Sequence, residues 1–299
     1  MKSVFVYNPE SGNGKIRKYK DYIISKLAEK YGEIDCVETD HQGHAFEIAK
    51  DSIGNYDYFF VAGGDGTINE VVNGFGGAEN KPIIGYIPSG TVNDVARSLG
   101  ISRKIKKAVK NIIEGEPFEH DTFKVNDRYG IYVCATGLFT CASYDTNRYD
   151  KKKLGKLAYV KRALKELKKT ETMPVTLSLD DETISTNSPL VLILNSRSVA
   201  GFKINKNASL CDGEVEVVIF STTNKYVTLA EFNVIASTFI FGLDRLKNSK
   251  SIIYRKAKKF NISIAEGTAI NLDGEKSGEG SFEFEVLQKS VKIITPKGA

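Results

Sequence analysis

The residue types best suited to chemistry sit in one run, Val61-Ala62-Gly63-Gly64-Asp65-Gly66-Thr67-Ile68-Asn69-Glu70. Glycines let a backbone come close to a phosphate, and the free N–H groups and dipole of a helix N-terminus favour negative charge. Asp65 is a carboxylate beside such an anion site, which makes sense when a cation lies between it and the phosphate. The bland alternative is a Gly-rich turn with a solvated aspartate. A second run, Pro88-Ser89-Gly90-Thr91-Val92-Asn93-Asp94, again puts small and polar residues where a strand should turn into a helix. A third, Asn8-Pro9-Glu10-Ser11-Gly12-Asn13-Gly14-Lys15, looks like a phosphate loop. It is not a Walker A sequence, since Pro9 replaces the first glycine and Ile16 follows the lysine. An ordinary loop explains that run as well. Three such loops together point to nucleotide-phosphate binding more strongly than any one of them.

These loops need strands and helices to aim them. Tyr58–Ala62 is a short apolar run and reads as a buried parallel strand. Apolar residues at helical spacing from Ile68 to Phe75 place a helix start near Thr67, with Thr67 as its N-cap. Lys2–Tyr7 reads as the first strand, and Ile16, Tyr19, Ile23 and Leu27 mark a helix running to about Tyr31. Ile34–Glu38 is a second strand ending at Thr39, followed by a helix over Ala45–Ser52. Lys81–Ile87 is the strand before the second glycine loop. This alternation argues for a parallel α/β sheet up to Gly115, with ligands beyond the carboxyl ends of its strands.

After Gly115 the pattern changes. Phe118–Val125, Tyr129–Ala135, Val175–Leu179, Leu190–Asn195 and Glu214–Phe220 are β-like, and so are Ile252–Arg255, Phe260–Ile264, Ala269–Leu272, Phe282–Leu287 and Val291–Thr295. This reads as an antiparallel β domain with two helical insertions. Leu154–Lys169 is amphipathic, with lysines opposite its apolar face, whereas Tyr226–Leu243 is apolar throughout and is expected in the core. The expected organisation is an α/β nucleotide-binding domain over 1–120 with a parallel sheet. A β-sandwich follows over 121–299, its last strand free to return to the first domain.

Composition excludes some classes. At 41% hydrophobic and 26% charged, the 299 residues can build real cores. No stretch is long enough to span a bilayer, and Met1–Tyr7 lacks the features of a signal peptide. Cys36, Cys134, Cys141 and Cys211 form no CxxC pair and read as reduced cytosolic thiols. His41, His44 and His120 are expected to be too scattered for a cluster. The net charge of +5 permits an anionic partner without identifying one, and no nucleic-acid motif is present.

Gly63–Glu70 and Pro88–Asp94 together resemble the diacylglycerol kinase catalytic domain, shared by soluble bacterial diacylglycerol kinases, sphingosine kinases and ceramide kinases. The resemblance extends to Leu210-Cys211-Asp212-Gly213-Glu214 and Asn271-Leu272-Asp273-Gly274-Glu275, and so covers nearly the whole chain. It implies an ATP- and Mg²⁺-dependent lipid kinase that acts on diacylglycerol at the cytoplasmic membrane face. Asn8, Ser11, Thr39, Gly64, Asp65, Gly66, Thr67, Asn69, Glu70 and Thr91 would hold ATP, with Asp65 and Asp94 reaching Mg²⁺ through water. Asp273 would be the general base, with Glu275 as partner or rival. Asp212 would hold a structural Mg²⁺, helped by the backbone carbonyls of Ser209 and Glu214, although Cys211 stands where relatives often have a second acid. Arg97, Asp121 and Arg162 are candidate substrate residues. From sequence pattern alone, Asp273-Gly274 also reads as an ordinary hairpin turn.

Other readings remain open. The acceptor could be a sphingoid base, monoacylglycerol, undecaprenol or NAD, since NAD kinases share the first glycine motif but not the second. A catalytically silent nucleotide- or lipid-binding regulator is a further alternative. The lysine-rich segment Lys151–Lys169 is either a solvated helix face or a peripheral docking site for anionic membrane. A homodimer is compatible with all of these.

Overall fold

The computed structural model describes residues 1–12, 14–138 and 171–298. The chain forms two compact units. One comprises Met1–Thr122 with Leu287–Ala299, and the other Phe123–Val286.

In the first unit, strands β1 (Ser3–Tyr7), β2 (Ile34–Glu38), β3 (Tyr58–Gly63) and β4 (Ile83–Pro88) are parallel, in the order β2-β1-β3-β4. Helices α1 (Lys15–Tyr31), α2 (His44–Ser52) and α3 (Asp65–Phe75) connect them. β1 and β3 are fully or almost fully buried, as expected for strands covered on both faces. α1 buries Ile16, Ile23, Leu27 and Tyr31, a single stripe at helical spacing. α4 (Asp94–Ser98) and α5 (Ile105–Glu114) follow, and α5 buries Ala108, Val109 and Ile112. The chain moves outward from β1 to β2 and then crosses back to β3, so the sheet has its switch point between β1 and β3. In sheets of this kind the crevice at that point is where ligands bind.

Strand β5 (Glu116–Val125) leads into the second unit, with β6 (Arg128–Gly130), β7 (Val133–Gly137), β8 (Met173–Ser178), β9 (Thr183–Ser188), β10 (Leu190–Leu194) and β11 (Val215–Phe220). Helix α6 (Leu229–Phe241) and strands β12 (Ile252–Ala257), β13 (Lys259–Ile264), β14 (Ala269–Leu272), β15 (Glu275–Glu279) and β16 (Phe282–Thr295) complete it. One antiparallel sheet runs β12-β11-β10-β7-β14-β15. A second includes β16, β13, β8 and β9, also antiparallel. Alternate residues of both sheets, such as Val215, Val217 and Ile219 on β11 and Phe260 and Ile262 on β13, meet in one core. Phe284 stacks between Phe123 and Phe260 with ring centroids 4.8 and 4.7 Å away. The two runs expected at Phe282–Leu287 and Val291–Thr295 are one strand, β16, whose final part pairs with β4 in parallel through Ile293 and Ile84. The polar Gln288-Lys289-Ser290 between them, with Lys289 at φ 52°, explains why the sequence looks broken there.

Two expected helices need comment. Leu154–Lys169 lies outside the described residues. The apolar segment Tyr226–Leu243 does form a helix, α6, but it is not a core helix. Phe232, Ile235 and Thr238 are buried, while Leu229, Ile240 and Phe241 are exposed.

A buried acid lies on β11. Glu216 faces its register partner Lys256 on β12, whose ammonium is 3.9 Å away, and accepts from Asn205 Nδ2 at 2.7 Å. Burial pushes its carboxyl up to about 7, with Asn205 and Lys256 pulling the other way. A carboxyl raised in the folded state favours folding while protonated. Its burial penalty appears as pH rises from the ordinary value near 4.5 and is complete above about 7. Glu216→Gln should therefore raise stability by roughly 1–3 kcal/mol at pH 8. The gain should vanish below pH of about 4.5. Denaturant titrations of both proteins at the two pH values check this, and an equal gain at both would contradict it.

Candidate functional site

The first unit brings its three loops together at the carboxyl edge of the sheet. Asn8 follows β1, and its N–H donates to Ala62 O of β3 at 3.0 Å, across the switch point. Ser89 N–H donates to Gly63 O at 2.8 Å, tying the loop after β4 to the loop after β3. Ser11 and Ser89 share a hydrogen bond between their hydroxyls at 2.7 Å. The contacts are so close that only glycine fits. A Cβ on Gly90 would stand 2.6 Å from Gly64 Cα, and one on Gly12 would stand 2.7 Å from Ser89 O. Gly12 also has φ +62°, a left-handed conformation that other residues adopt only with strain.

Asn93 shapes the second glycine loop. It takes φ 56°, and its side chain accepts from Gly90 N at 2.9 Å and donates to Gly90 O at 2.7 Å. The buried Tyr86 hydroxyl donates to Gly63 O at 3.3 Å. The sequence reading missed both roles. Asn93 was legible as a small polar loop residue, but Tyr86 carries no motif signal at all.

Helix α3 begins at Asp65, with Gly64 as N-cap. The start expected near Thr67, with Thr67 as cap, is corrected: Thr67 lies within the first turn and its side chain fills the space beside Gly63, where a Cβ would stand 2.4 Å away. Gly64, the N-cap, and Gly66, in the first turn, are half-buried, and Asn69 is buried, accepting from Asn73 Nδ2 at 3.2 Å. Glu70 accepts from Gly43 N at 3.0 Å, which ties the loop after β2 to α3. Thr39 is buried at that loop's start and bonds Tyr7 O through its N–H at 3.0 Å. Thr91 is exposed, and its carbonyl accepts from Arg103 at 2.8 Å. Arg97 holds Val92 O through Nε at 3.0 Å. Asp121 is fully buried and accepts from Lys289 N at 2.6 Å. Arg162 lies outside the described residues.

The charge at this edge is concentrated in Asp65 and Asp94. Asp65 accepts from Val95 N at 3.3 Å, and backbone donors at Asp94 and Asn93 add to this. Its carboxyl is nevertheless pushed up to about 6, first by burial and then by the negative charge of Asp94. Two largely buried acids that repel each other beside phosphate-type loops are a hard-oxygen donor set. That set fits a divalent cation such as Mg²⁺.

His41 and His44, expected to be scattered, come together. Both Nδ1 atoms reach Asp40 Oδ1, at 2.5 and 2.6 Å, and the rings stack at 4.8 Å. The turn into α2 brings the two rings onto one side.

Asp273, the expected general base, is held by the backbone. It is 2% exposed and occupies the first position of a two-residue hairpin turn between β14 and β15, with φ 51° followed by Gly274 at 91°. Its carboxylate accepts from Ile131 N at 2.7 Å, Tyr132 N at 2.9 Å and Val133 N at 2.9 Å. Three backbone donors make it the anchor of the chain entering β7. Glu275, two residues on, is half-buried at the start of β15.

Asp212, expected to hold a structural metal, lies beside Lys256. Lys256 Nζ lies 3.1 Å from Asp212 Oδ2, and Glu214 N donates to Oδ1 at 3.4 Å. Glu214 is exposed and Ser209 half-buried. Asp212, the one side-chain ligand of the expected set, thus has an ammonium beside it, which Glu216 shares at 3.9 Å.

Comparison with known proteins finds two family matches along the chain. Residues 2–125 match the diacylglycerol kinase catalytic domain, and residues 133–295 match the YegS C-terminal NAD kinase beta sandwich-like domain. The chain is 35% identical to a diacylglycerol kinase of Bacillus subtilis over 98% of its own length and 95% of that protein's. It is also 35% identical to a diacylglycerol kinase of Staphylococcus carnosus, over 98% of this chain and 94% of that one. A crystal structure of a diacylglycerol kinase from Bacillus anthracis superposes with a TM-score of 0.82 at 26% identity, covering 99% of this chain and 97% of that one.

The anchor role of Asp273 makes a prediction about stability. Asp273→Asn replaces an accepting oxygen with an N–H₂ group that must face backbone donors. It should cost about 2–4 kcal/mol of folding free energy. Urea unfolding of wild type and variant measures this, and an unchanged midpoint would remove the anchor.

Proposed function

The chain belongs to the family of the diacylglycerol kinase catalytic domain, and on that premise we propose that it phosphorylates the hydroxyl of diacylglycerol from ATP to give phosphatidic acid. The observation that carries the reading is the backbone-to-backbone contact of the Gly64 and Gly90 loops beside the Asp65–Asp94 pair. Phosphoryl transfer demands little covalent work from a protein. It requires that the phosphates be positioned, that their charge be offset and that the acceptor's proton have somewhere to go.

The Asn8, Gly63 and Pro88 loops do the positioning. Backbone N–H groups at the start of α3 and the hydroxyls of Ser11, Ser89 and Thr91 supply donors for phosphate oxygens. Asp65 and Asp94 would hold Mg²⁺, which, when bound, neutralises charge on the transferring phosphoryl group. The rigid packing of Gly12 on Ser89 and of Gly90 on Gly64 fixes the loops before substrate arrives, so less order is lost on binding.

The proton acceptor is assigned to Glu275. A lipid hydroxyl is far too weak an acid to lose its proton in the ground state, but its proton becomes acidic as the O–P bond forms. Asp273 is enclosed, and its carboxylate accepts from the backbone at residues 131, 132 and 133. Those donors occupy both of its carboxylate oxygens. Glu275 is the other acid of the motif, has the longer side chain and is half-buried rather than enclosed. The family's motif points to Asp273, and this division of labour shifts the proposed role to its neighbour Glu275. The site of action is the membrane surface, where diacylglycerol resides. No helix among the described residues is long and apolar enough to cross a membrane, so attachment there is peripheral in this reading.

Transfer of label from γ-³²P-ATP to a panel of diacylglycerol, monoacylglycerol, a sphingoid base, undecaprenol and NAD tests the assignment. Label should appear foremost in diacylglycerol, and label confined to NAD would sink the lipid reading. Asp65→Ala should lower turnover by several orders of magnitude while the protein stays folded. Glu275→Gln should lower kcat by roughly 10²–10⁴ with little change in the KM for ATP. A wild-type rate in Glu275→Gln would return the proton to another group.

A further inference from the structure

The outward face of α6 is built for an apolar environment. Among the described residues, the exposed large hydrophobics are Met1, Phe46 and four others: Tyr226 at 47%, Leu229 at 66%, Ile240 at 62% and Phe241 at 53%. Those four all belong to α6 or its immediate approach. Leu229 and Ile240 are eleven residues apart in sequence, which places them within about 20° of each other around the helix axis. Ala230, Asn233, Ser237 and Phe241 share that side, and none of them carries a charge. A helix exposed to water normally turns charged residues outward. This one does the reverse.

The helix holds a single charged residue, Glu231, and uses it internally. Glu231 completes a capping box with Thr228 and also accepts from Asn224 Nδ2 at 2.9 Å. The apolar face is thus presented by a helix with a fixed start. Cations stand at both ends. Lys225 Nζ lies 5.3 Å from the ring centroid of Tyr226, and the Arg245 guanidinium lies 6.0 Å from that of Phe241. Lys247 and Lys250 follow in the next turns; Lys247 pairs with Asp244 at 3.4 Å and Lys225 with Glu171 at 3.7 Å. An uncharged face with exposed Leu229 near its start, Ile240 near its end, and an aromatic ring with a cation beyond each is the pattern of a helix lying in a lipid–water interface. The 13 residues of α6 extend only about 20 Å, too short to cross a hydrocarbon core of about 30 Å.

We propose that α6 docks this protein on an anionic bilayer, lying in the plane of the interface with Leu229, Ile240 and Phe241 among the acyl chains. Charge favours that occupant over a second copy of the chain. A two-fold pairing of antiparallel helices would bring the Lys225–Glu171 pair of one copy toward Arg245 of the other and offer it no acid of α6, whose one acid is used in its cap, whereas anionic headgroups meet Arg245 directly. The inference deepens the lipid-kinase reading, because an acceptor embedded in a bilayer must be met at its surface. It rests on α6 alone and makes no use of the lysine-rich segment 151–169.

The chain contains no tryptophan, so one introduced indole reports without background. Phe241→Trp in the full chain is mixed, without nucleotide, with vesicles of phosphatidylcholine or of phosphatidylcholine with phosphatidylglycerol. The emission should shift to the blue with the anionic vesicles, be quenched by brominated acyl chains, and do both less at high salt. The combined Leu229→Ser, Ile240→Ser and Phe241→Ser variant should sediment with those vesicles at least about tenfold less, because the apolar contribution to interfacial binding is gone. Its turnover on a short-chain, water-soluble diacylglycerol should stay at the wild-type level. Vesicle binding with an unshifted indole emission would overturn the proposal, as would equal sedimentation of wild type and triple variant. A blue shift that depends on protein concentration and needs no vesicles would assign the face to a second copy. Docking is read here without catalysis, so a protein that binds vesicles but phosphorylates no lipid would overturn the kinase reading alone.

Discussion

The candidate site depends on backbones that touch. A side chain at Gly90 would collide with Gly64, and one at Gly12 with the Ser89 carbonyl, so three separate loops can occupy one small region only because these positions carry no Cβ. The parallel sheet supplies the framework. Its order β2-β1-β3-β4 sets the loops after β1 and β3 on either side of the switch point, and the Asn8–Ala62 hydrogen bond closes that gap. Asn93 then locks the remaining loop by bonding both the N–H and the C=O of Gly90.

Acids are used in contrasting ways across the chain. Asp65 and Asp94 repel each other at the end of the sheet, which leaves the edge short of positive charge and ready for a cation. Asp273 is a carboxylate employed in holding backbone N–H groups, a structural use. Asp212 and Glu216 share the Lys256 ammonium. Residue type alone does not separate these roles. The partners that each fold position supplies decide whether a carboxylate binds a cation, anchors a strand or is neutralised.

Much of this was legible in the sequence. β2 falls at Ile34–Glu38 as read, and the stripe Ile16, Ile23, Leu27 marks α1, because strand composition and helical spacing are local properties. The two glycine motifs, and the family they point to, were legible for a related reason: steric need leaves glycine almost no substitutes. What stayed hidden depended on distant residues. Apolar content announced α6, but hydropathy does not say whether anything covers a helix, and its outward face is bare. Asp273 matched a motif, yet its orientation is set by residues 131–133, far away in sequence. The pairing of His41 with His44 needed the turn into α2, and the single strand β16 was masked by its polar middle.

The central claim is that the loops after β1, β3 and β4 form one nucleotide site. Hydrogen–deuterium exchange with and without ATP and Mg²⁺ tests it directly, because a bound phosphate chain must protect the amides that hold it. The account predicts slower exchange over Asn8–Lys15, Gly63–Glu70 and Pro88–Asp94 together, with β11 in the second unit unchanged. Protection confined to one of these loops, or found only in other parts of the chain, would contradict it.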